Sequence, residues 1–255
     1  CGTSGYEEAA GLGIMAGINA VLAIRGQAPL ILKRNEAYIA VMIDDLVTKG
    51  AIEPYRLLSS RAEYRLLLRH DNADLRLTEY GYQLGLIPES RYQSFLQKNE
   101  SLNRVLSILR KTYLGANKKV NEYLLKIGCT PLKGGTLAYD LLKRPDVAYS
   151  TMIELIPELI SHPLDETGIM QLEIMVKYEG YIAKQEKEAK SFAKFESLLL
   201  REDLDYLHID GLALEARQKL QKIRPRTIGQ ASRVGGVNPS DISVLVLTLK
   251  RRGLL

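Results

Sequence analysis

A chain of 255 residues, 46% hydrophobic and 25% charged, is long enough to bury one or two globular cores and lacks the bias of disordered or collagen-like chains. Cys1 and Cys129 make no C-x-x-C pair, and His70, His162 and His208 lack ligand spacing, so neither a disulfide framework nor a metal site is expected. The net charge of +5 is unevenly placed. Residues 216–255 hold nine Lys or Arg against the one acid Asp241, a net of +8, which leaves −3 on the rest. Basicity gathered at one end suits a polyanion or an acidic partner.

The chain opens on Gly2, Thr3, Ser4 and Gly5, then Tyr6 and Glu7 lead into an Ala- and Gly-rich helix that continues to about Ala20. A glycine turn at a helix start aims backbone N–H groups and the positive end of the dipole at one place, where an anionic ligand group could sit. Alone, G-x-x-G before a helix reads by default as a packing turn. Such a turn normally follows a strand, and none is found here, so a fragment of a larger protein is expected. Gly11, Gly13 and Gly17 predict close packing against a neighbour. No signal segment opens the chain, and no apolar run approaches the roughly 20 residues of a membrane span. No membrane partner is expected, and the expected location is cytoplasmic, or organellar without a presequence. Residues 26–35 read as a connector and 37–47 as an apolar segment ending in Asp44 and Asp45. Adjacent helical residues point apart, so this pair predicts no catalytic dyad. A domain boundary is expected near Lys49 and Gly50.

Residues 60–78 are the most patterned stretch. Ser60 followed by Glu63 matches a capping box, which predicts a helix from Arg61 with Arg61, Arg65 and Arg69 along one face, able to hold phosphate. Two other readings stand beside it: a solvated face paired with Glu63, Asp71 and Asp74, or a short strand over 64–68. Asp71 and Asp74 predict the cap of a second short helix.

From Thr78 onward the pattern is helical. Thr78 is expected to cap a helix ending near Gly85, and Pro88 to open a longer one whose apolar positions are Tyr92, Phe95, Leu96, Leu102, Val105, Leu106 and Leu109. The middle holds no Ser/His/Asp set, no P-loop, no usefully spaced carboxylates and no internal repeat, so no catalytic residue is expected. Residues 165–200 predict one long helix across a bundle, its Lys and Glu residues forming a solvated face, with Lys177, Tyr178, Glu179, Gly180, Tyr181 and Lys184 set apart by the glycine. Near the end, Arg224-Pro225-Arg226 closes one helix, Thr227 starts a short one through Val234, and Asn238, Pro239 and Asp241 start the last, which Gly253 stops. Residues 230–242 superficially resemble a helix-turn-helix, the alternative reading being a DNA-binding module. The double glycine makes its turn one residue too long, displacing Ile242, and its second helix is mostly apolar where bases would be read. The end cations Lys250, Arg251 and Arg252 suit phosphate positioning or partner docking.

Several of these segments resemble the GidA (MnmG) family, the flavin-containing large subunit of the tRNA uridine 5-carboxymethylaminomethyl modification enzyme. The likeness rests on Gly2-Thr-Ser-Gly-Tyr-Glu-Glu-Ala-Ala10, on the 60–78 segment, on Lys177-Tyr-Glu-Gly-Tyr-Ile182 and on Ile228-Gly-Gln-Ala-Ser-Arg233. At Cys1 the family often has Asn. The resemblance implies a mainly α fragment: the last helix of an FAD-binding, Rossmann-like domain over 1–50, then a helical tRNA- and partner-binding domain over 51–255 with a basic terminal subdomain at about 201–255. It implies FAD contacts by Gly2, Thr3, Ser4, Gly5, Tyr6 and Glu7 in the intact protein, with no FAD held by this fragment. It further implies use of NADH and a folate one-carbon donor, a GTPase partner subunit, a homodimer, and action on the wobble uridine of tRNA by the intact enzyme, the fragment alone being inactive. The residues expected to meet tRNA are Arg61, Arg65, Arg69, Lys177, Tyr181, Lys184, Arg224, Arg226, Arg233, Lys250, Arg251 and Arg252.

Overall fold

The computed structural model describes residues 2–49 and 54–254. Cys1, Leu255 and Gly50, where the first boundary was placed, lie outside them. The fold is mainly helical, as the sequence predicts. Among the described residues the one sheet pairs two-residue strands, β1 (Tyr113–Leu114) and β2 (Thr136–Leu137), antiparallel, with Tyr113 opposite Leu137. The chain divides into two compact units, 1–68 with 185–255, and 69–184. These limits differ from the expected divisions at 50 and about 200, because residues 185–255 return to pack with the first part of the chain.

In the first unit, α1 (Tyr6–Ile24) starts at Gly5, with Glu7 and Glu8 at its positive end. Its 19 residues include an 18-residue window of mean hydropathy 1.4, long and apolar enough to cross a membrane. It qualifies by length and composition only; as expected, its Ala, Gly and Ile residues form no unbroken apolar run of that length. Its buried residues are Glu8, Gly11, Met15 and Leu22. Gly11 lies against Ile39 and Met42 of α2 (Tyr38–Thr48), whereas beside Gly13 and Gly17 the space is open, so close packing holds at one of the three glycines. The larger core of this unit joins Leu200, Leu204, Tyr206, Ile209 and Leu212 to α10 (Leu214–Ile223), α11 (Ile228–Arg233) and α12 (Pro239–Arg251) through Leu220, Ile228, Ala231, Leu245 and Leu249. At α11 and α12 the caps match the sequence. The Thr227 side chain accepts from the Gln230 N–H, and Asn238 and Asp241 form a reciprocal capping box. Arg224 ends α10 in the left-handed region (φ 49°), since Pro225 bars continuation. Gly253 (φ 67°) follows α12.

In the second unit, α3 (Ala73–Gln83), α4 (Glu89–Lys111), α5 (Lys118–Lys126), α6 (Ala138–Leu142), α7 (Tyr149–Leu155) and α8 (Glu166–Lys177) enclose another core. On α4 the buried Leu102, Val105, Leu106 and Leu109 follow the helical period and meet Leu124, Leu141, Met152, Leu172 and Val176. Thr78 lies inside α3 and caps nothing. The single helix expected over 165–200 is two: α8, then α9 (Glu179–Glu196), broken at Tyr178 (φ −105°, ψ 13°).

The largest correction concerns 60–78. Ser59–Arg61 is one 3-10 turn without a side-chain cap, residues 62–72 are turns and bends, and regular helix resumes at Ala73. Arg61, Arg65 and Arg69 therefore share no helix face, and 64–68 is no strand. The reason is tertiary. Glu63, needed for the capping box, bonds the Arg34 guanidinium instead, while Ala62, Tyr64 and Leu68 are buried with Val41 and Ala189, a gain that outweighs a local helix preference of a few tenths of a kcal/mol per residue.

Candidate functional site

The opening turn is fastened to residues 55–57. Thr3 bridges Tyr55 in parallel, the Ser4 N–H donates to the Tyr55 carbonyl (3.1 Å), Arg56 Nε donates to Ser4 Oγ (3.1 Å), and the Leu57 N–H donates to Glu8 Oε1 (3.0 Å). That last bond and one from its own N–H hold the Glu8 carboxyl below the ordinary glutamate range. A Cβ at Gly5 would overlap the Glu8 carboxylate and push it aside. The N–H groups of Tyr6 and Glu7, in the first turn of α1, have no intrahelical acceptor. Tyr6 is 94% exposed. Gly2, Thr3, Ser4, Gly5, Tyr6 and Glu7 thus form one positioned turn with free donors.

A second constellation was not foreseen. Arg34, 8% exposed, donates through Nη1 to Asp44 (2.9 Å) and Asp45 (2.9 Å), and through Nε and Nη2 to Glu63 (2.8 and 2.9 Å). Asp44 and Asp45 thus converge on one guanidinium although adjacent on a helix. Asp45 also accepts from Lys49 Nζ (2.8 Å) and Tyr55 Oη (2.9 Å). Burial raises the Asp45 carboxyl, but Lys49, Arg34 and Tyr55 together leave it below the ordinary range, and burial beside Asp45 pushes the Tyr55 phenol up. From α11, Arg233 joins the network through Nε to Asp44 (2.6 Å) and Nη1 to Glu196. With its side chain 15% exposed, Arg233 is committed to these carboxylates. That leaves few of its donors for the phosphate contact expected of it. This network floors a groove of about 1160 Å³, whose apolar walls include Ile31, Phe192, Phe195, Val246 and Leu247. The charged groups of this network are spent on one another, while Lys33, Glu188 and Arg226 also line the groove.

Among the remaining expected cations, Arg65 is exposed, Arg61 stacks over the Tyr55 ring (4.8 Å), and Arg69 pairs with Asp71 (3.0 Å). Lys177 is held by Glu173 and the Pro145 carbonyl, both at 3.3 Å, so its charge is partly neutralised. Lys184 and Tyr181 are exposed. Arg224 donates to the Glu202 carbonyl. Arg226, Lys250, Arg251 and Arg252 are exposed, and among the described residues none of the four makes an ion pair. Lys219 and Lys222 on the exposed face of α10 were counted in the basic end but not named as contacts. Helical caps and charge were legible there, whereas the inward pairing of Arg233 had no local signal.

Comparison with known proteins gives this arrangement its class. A model described as the C-terminal helical domain of the tRNA modifying enzyme MnmG/GidA matches residues 89–186, and one described as the C-terminal helical bundle of that enzyme matches 188–254. A third, described as glucose inhibited division protein A, matches 1–28. These matches define the helical C-terminal region of a tRNA-modifying enzyme. The curated tRNA uridine 5-carboxymethylaminomethyl modification enzymes MnmG of Exiguobacterium sibiricum and Enterococcus faecalis are 54% and 53% identical to this chain over 98% of its length, which is 40% and 39% of theirs. The solved structure of Aquifex aeolicus GidA, form II crystal, superposes with a TM-score of 0.78 at 37% identity, covering 97% of this chain and 38% of that one. The chain belongs to the MnmG/GidA family, and spans about two fifths of the length of the relatives it matches. The helix-turn-helix alternative finds no support: the matching models are of a tRNA modifying enzyme, and α12 spends Leu245 and Leu249 on its core and Asp241 on its cap.

Proposed function

We propose that this chain is the C-terminal, tRNA- and partner-binding part of an FAD-dependent enzyme that builds the carboxymethylaminomethyl group on C5 of the wobble uridine. The observation that carries this reading is half-identity, over nearly the whole chain, to relatives that bear that enzyme's name. Residues 1–50 are the end of the flavin domain in this reading, and 51–255 the helical region with its basic end at about 201–255. The turn at Gly2–Glu7 offers the Tyr6 and Glu7 N–H groups to the cofactor, which supplies redox chemistry when bound. The open face of α1 at Gly13, Ile14, Gly17 and Val21 packs on the rest of that domain rather than on lipid. NADH, a folate one-carbon donor, a GTPase subunit, a second copy of the chain and a cytoplasmic setting complete the reading by family resemblance.

The tRNA is held mainly by its phosphates. Arg226, Lys250, Arg251 and Arg252 are exposed and, among the described residues, without acidic partners, and phosphate contacts position a nucleic acid without reading its sequence. Replacing Lys250, Arg251 and Arg252 together by Gln in the full-length protein should lower the log–log salt slope of tRNA binding by about 2 to 3 and weaken different tRNAs alike. Filter binding of tRNA and duplex DNA across a salt series tests this. An unchanged tRNA affinity, or tight sequence-selective DNA binding, would sink the assignment.

A further inference from the structure

The break between α8 and α9 creates a surface that phosphate binding does not use. Tyr178 and Tyr181 lie on either side of Gly180, 46% and 66% exposed, with ring centroids 6.3 Å apart and planes tilted by 49°. Two neighbouring aromatic rings left to water, each with its hydroxyl unbonded among the described residues, expose apolar area that the fold gains nothing by presenting. Gly180 adds a second, independent sign. It is exposed, its φ is not positive, and a Cβ placed on it would meet nothing within 4 Å, so neither backbone geometry nor packing calls for glycine. In the first turn of a helix it forgoes up to about 1 kcal/mol relative to alanine. The open space beside it is room for something outside the chain to approach the backbone.

The break is held in place. Glu179 accepts from Tyr139 Oη (2.9 Å), pairs with Lys143 (2.9 Å) and lies 3.7 Å from Arg110. Tyr139 is in turn packed under the Lys143 ammonium and the Arg110 guanidinium, each 4.8 Å from the ring centre. The rigid core of the second unit thereby fixes the two tyrosines through the residue between them. Lys184, exposed and without an ion pair among the described residues, lies three residues beyond Tyr181, on the same face of α9.

We propose that Tyr178, Gly180 and Tyr181 form a stacking site for an unpaired base of RNA, with Lys184 meeting the adjacent phosphate and Glu179 acting as the positioning residue. Aromatic faces take any base, and the open glycine lets the ribose–phosphate chain lie against the helix. The inference rests on the tRNA reading above but names a different contact.

The test uses the full-length protein and an unmodified tRNA transcript with a wobble uridine. Tyr181→Ala should weaken binding about 5- to 100-fold without altering the salt slope, because a stacked base releases no counterion, while Tyr181→Phe should stay within about twofold of wild type. Gly180→Ala is the decisive variant: it should raise the thermal midpoint, since alanine favours helix, and still weaken tRNA binding at least severalfold. A merely structural glycine could not give both. If Tyr181→Ala and Gly180→Ala bind tRNA as wild type does while the Lys250/Arg251/Arg252 variant is impaired, the stacking site is wrong and the tRNA reading stands. If the wild-type protein binds no tRNA, both fall.

Discussion

Asp45 is 1% exposed and bonded at once to Arg34, Lys49 and Tyr55. Adjacent acids on a helix gave no reason to expect Asp44 and Asp45 to share a partner, because that partner is Arg34, ten residues before Asp44, and Asp44 is further held by Arg233, 189 residues later. Such partners leave no periodic signal, whereas the caps of α11 and α12 are local chemistry and were legible. The Asp45 carboxyl titrates below its ordinary value in the folded state. The unfolded chain therefore takes up the proton first as pH falls, so the carboxylate contributes stability above the ordinary Asp range and loses it as pH drops through the folded value. Asp45→Asn should cost about 1–3 kcal/mol at neutral pH, because Arg34, Lys49 and the Tyr55 hydroxyl lose a charged acceptor. The difference from wild type should shrink toward acid. Urea unfolding from pH 7 down to pH 3 measures it, and a gap that stays constant over that range would show that Asp45 is not the titrating group.

At the scale of elements, the start of α1 is set less by its own sequence than by residues 55–57. Gly5 precedes the helix with no side-chain cap, and Glu8 turns back to accept from Leu57. Gly5→Ala would push that carboxylate aside, leaving the Leu57 N–H short of its acceptor, at a cost of about 1–3 kcal/mol. The same change should lower flavin occupancy of the purified full-length protein, read from its visible absorbance, while Gly134→Ala, exposed in the second unit with open space beside it, should leave it unchanged and serve as the control. Equal occupancy in all three proteins would separate the turn from the cofactor. Helices such as α4, α11 and α12 could be read from the sequence because apolar period, cap and stop agree there. The 60–78 stretch could not. Its capping box and arginine spacing are those of a helix, yet Glu63 gains a buried-side partner in Arg34 and the apolar residues around it gain a core. Those long-range gains exceed what one capping box contributes.

At the scale of the molecule, 255 residues correspond to two fifths of an MnmG relative, and what this part can do alone differs from what it does in the whole. It has two cores of its own, one in 69–184 and one joining α10 to α12, so it should fold and give a helix-dominated far-ultraviolet spectrum. FAD is another matter. The turn at Gly2–Glu7 offers a few backbone donors and the partial charge of one helix end. A dinucleotide site also needs a strand-linked glycine turn for the pyrophosphate and an acidic partner for the ribose, and the described residues supply neither. Along α1, Ile14, Val21 and Ile24 stand exposed, on the helix that the proposed reading packs on the rest of the flavin domain. This chain should therefore elute from gel filtration colourless after incubation with FAD, while the full-length protein elutes yellow at near one flavin per chain. Mixing the chain with the separately produced N-terminal portion should restore retention in proportion to the complex formed. Stoichiometric flavin on this chain alone would place the whole cofactor site within these residues and overturn the division of labour proposed for it.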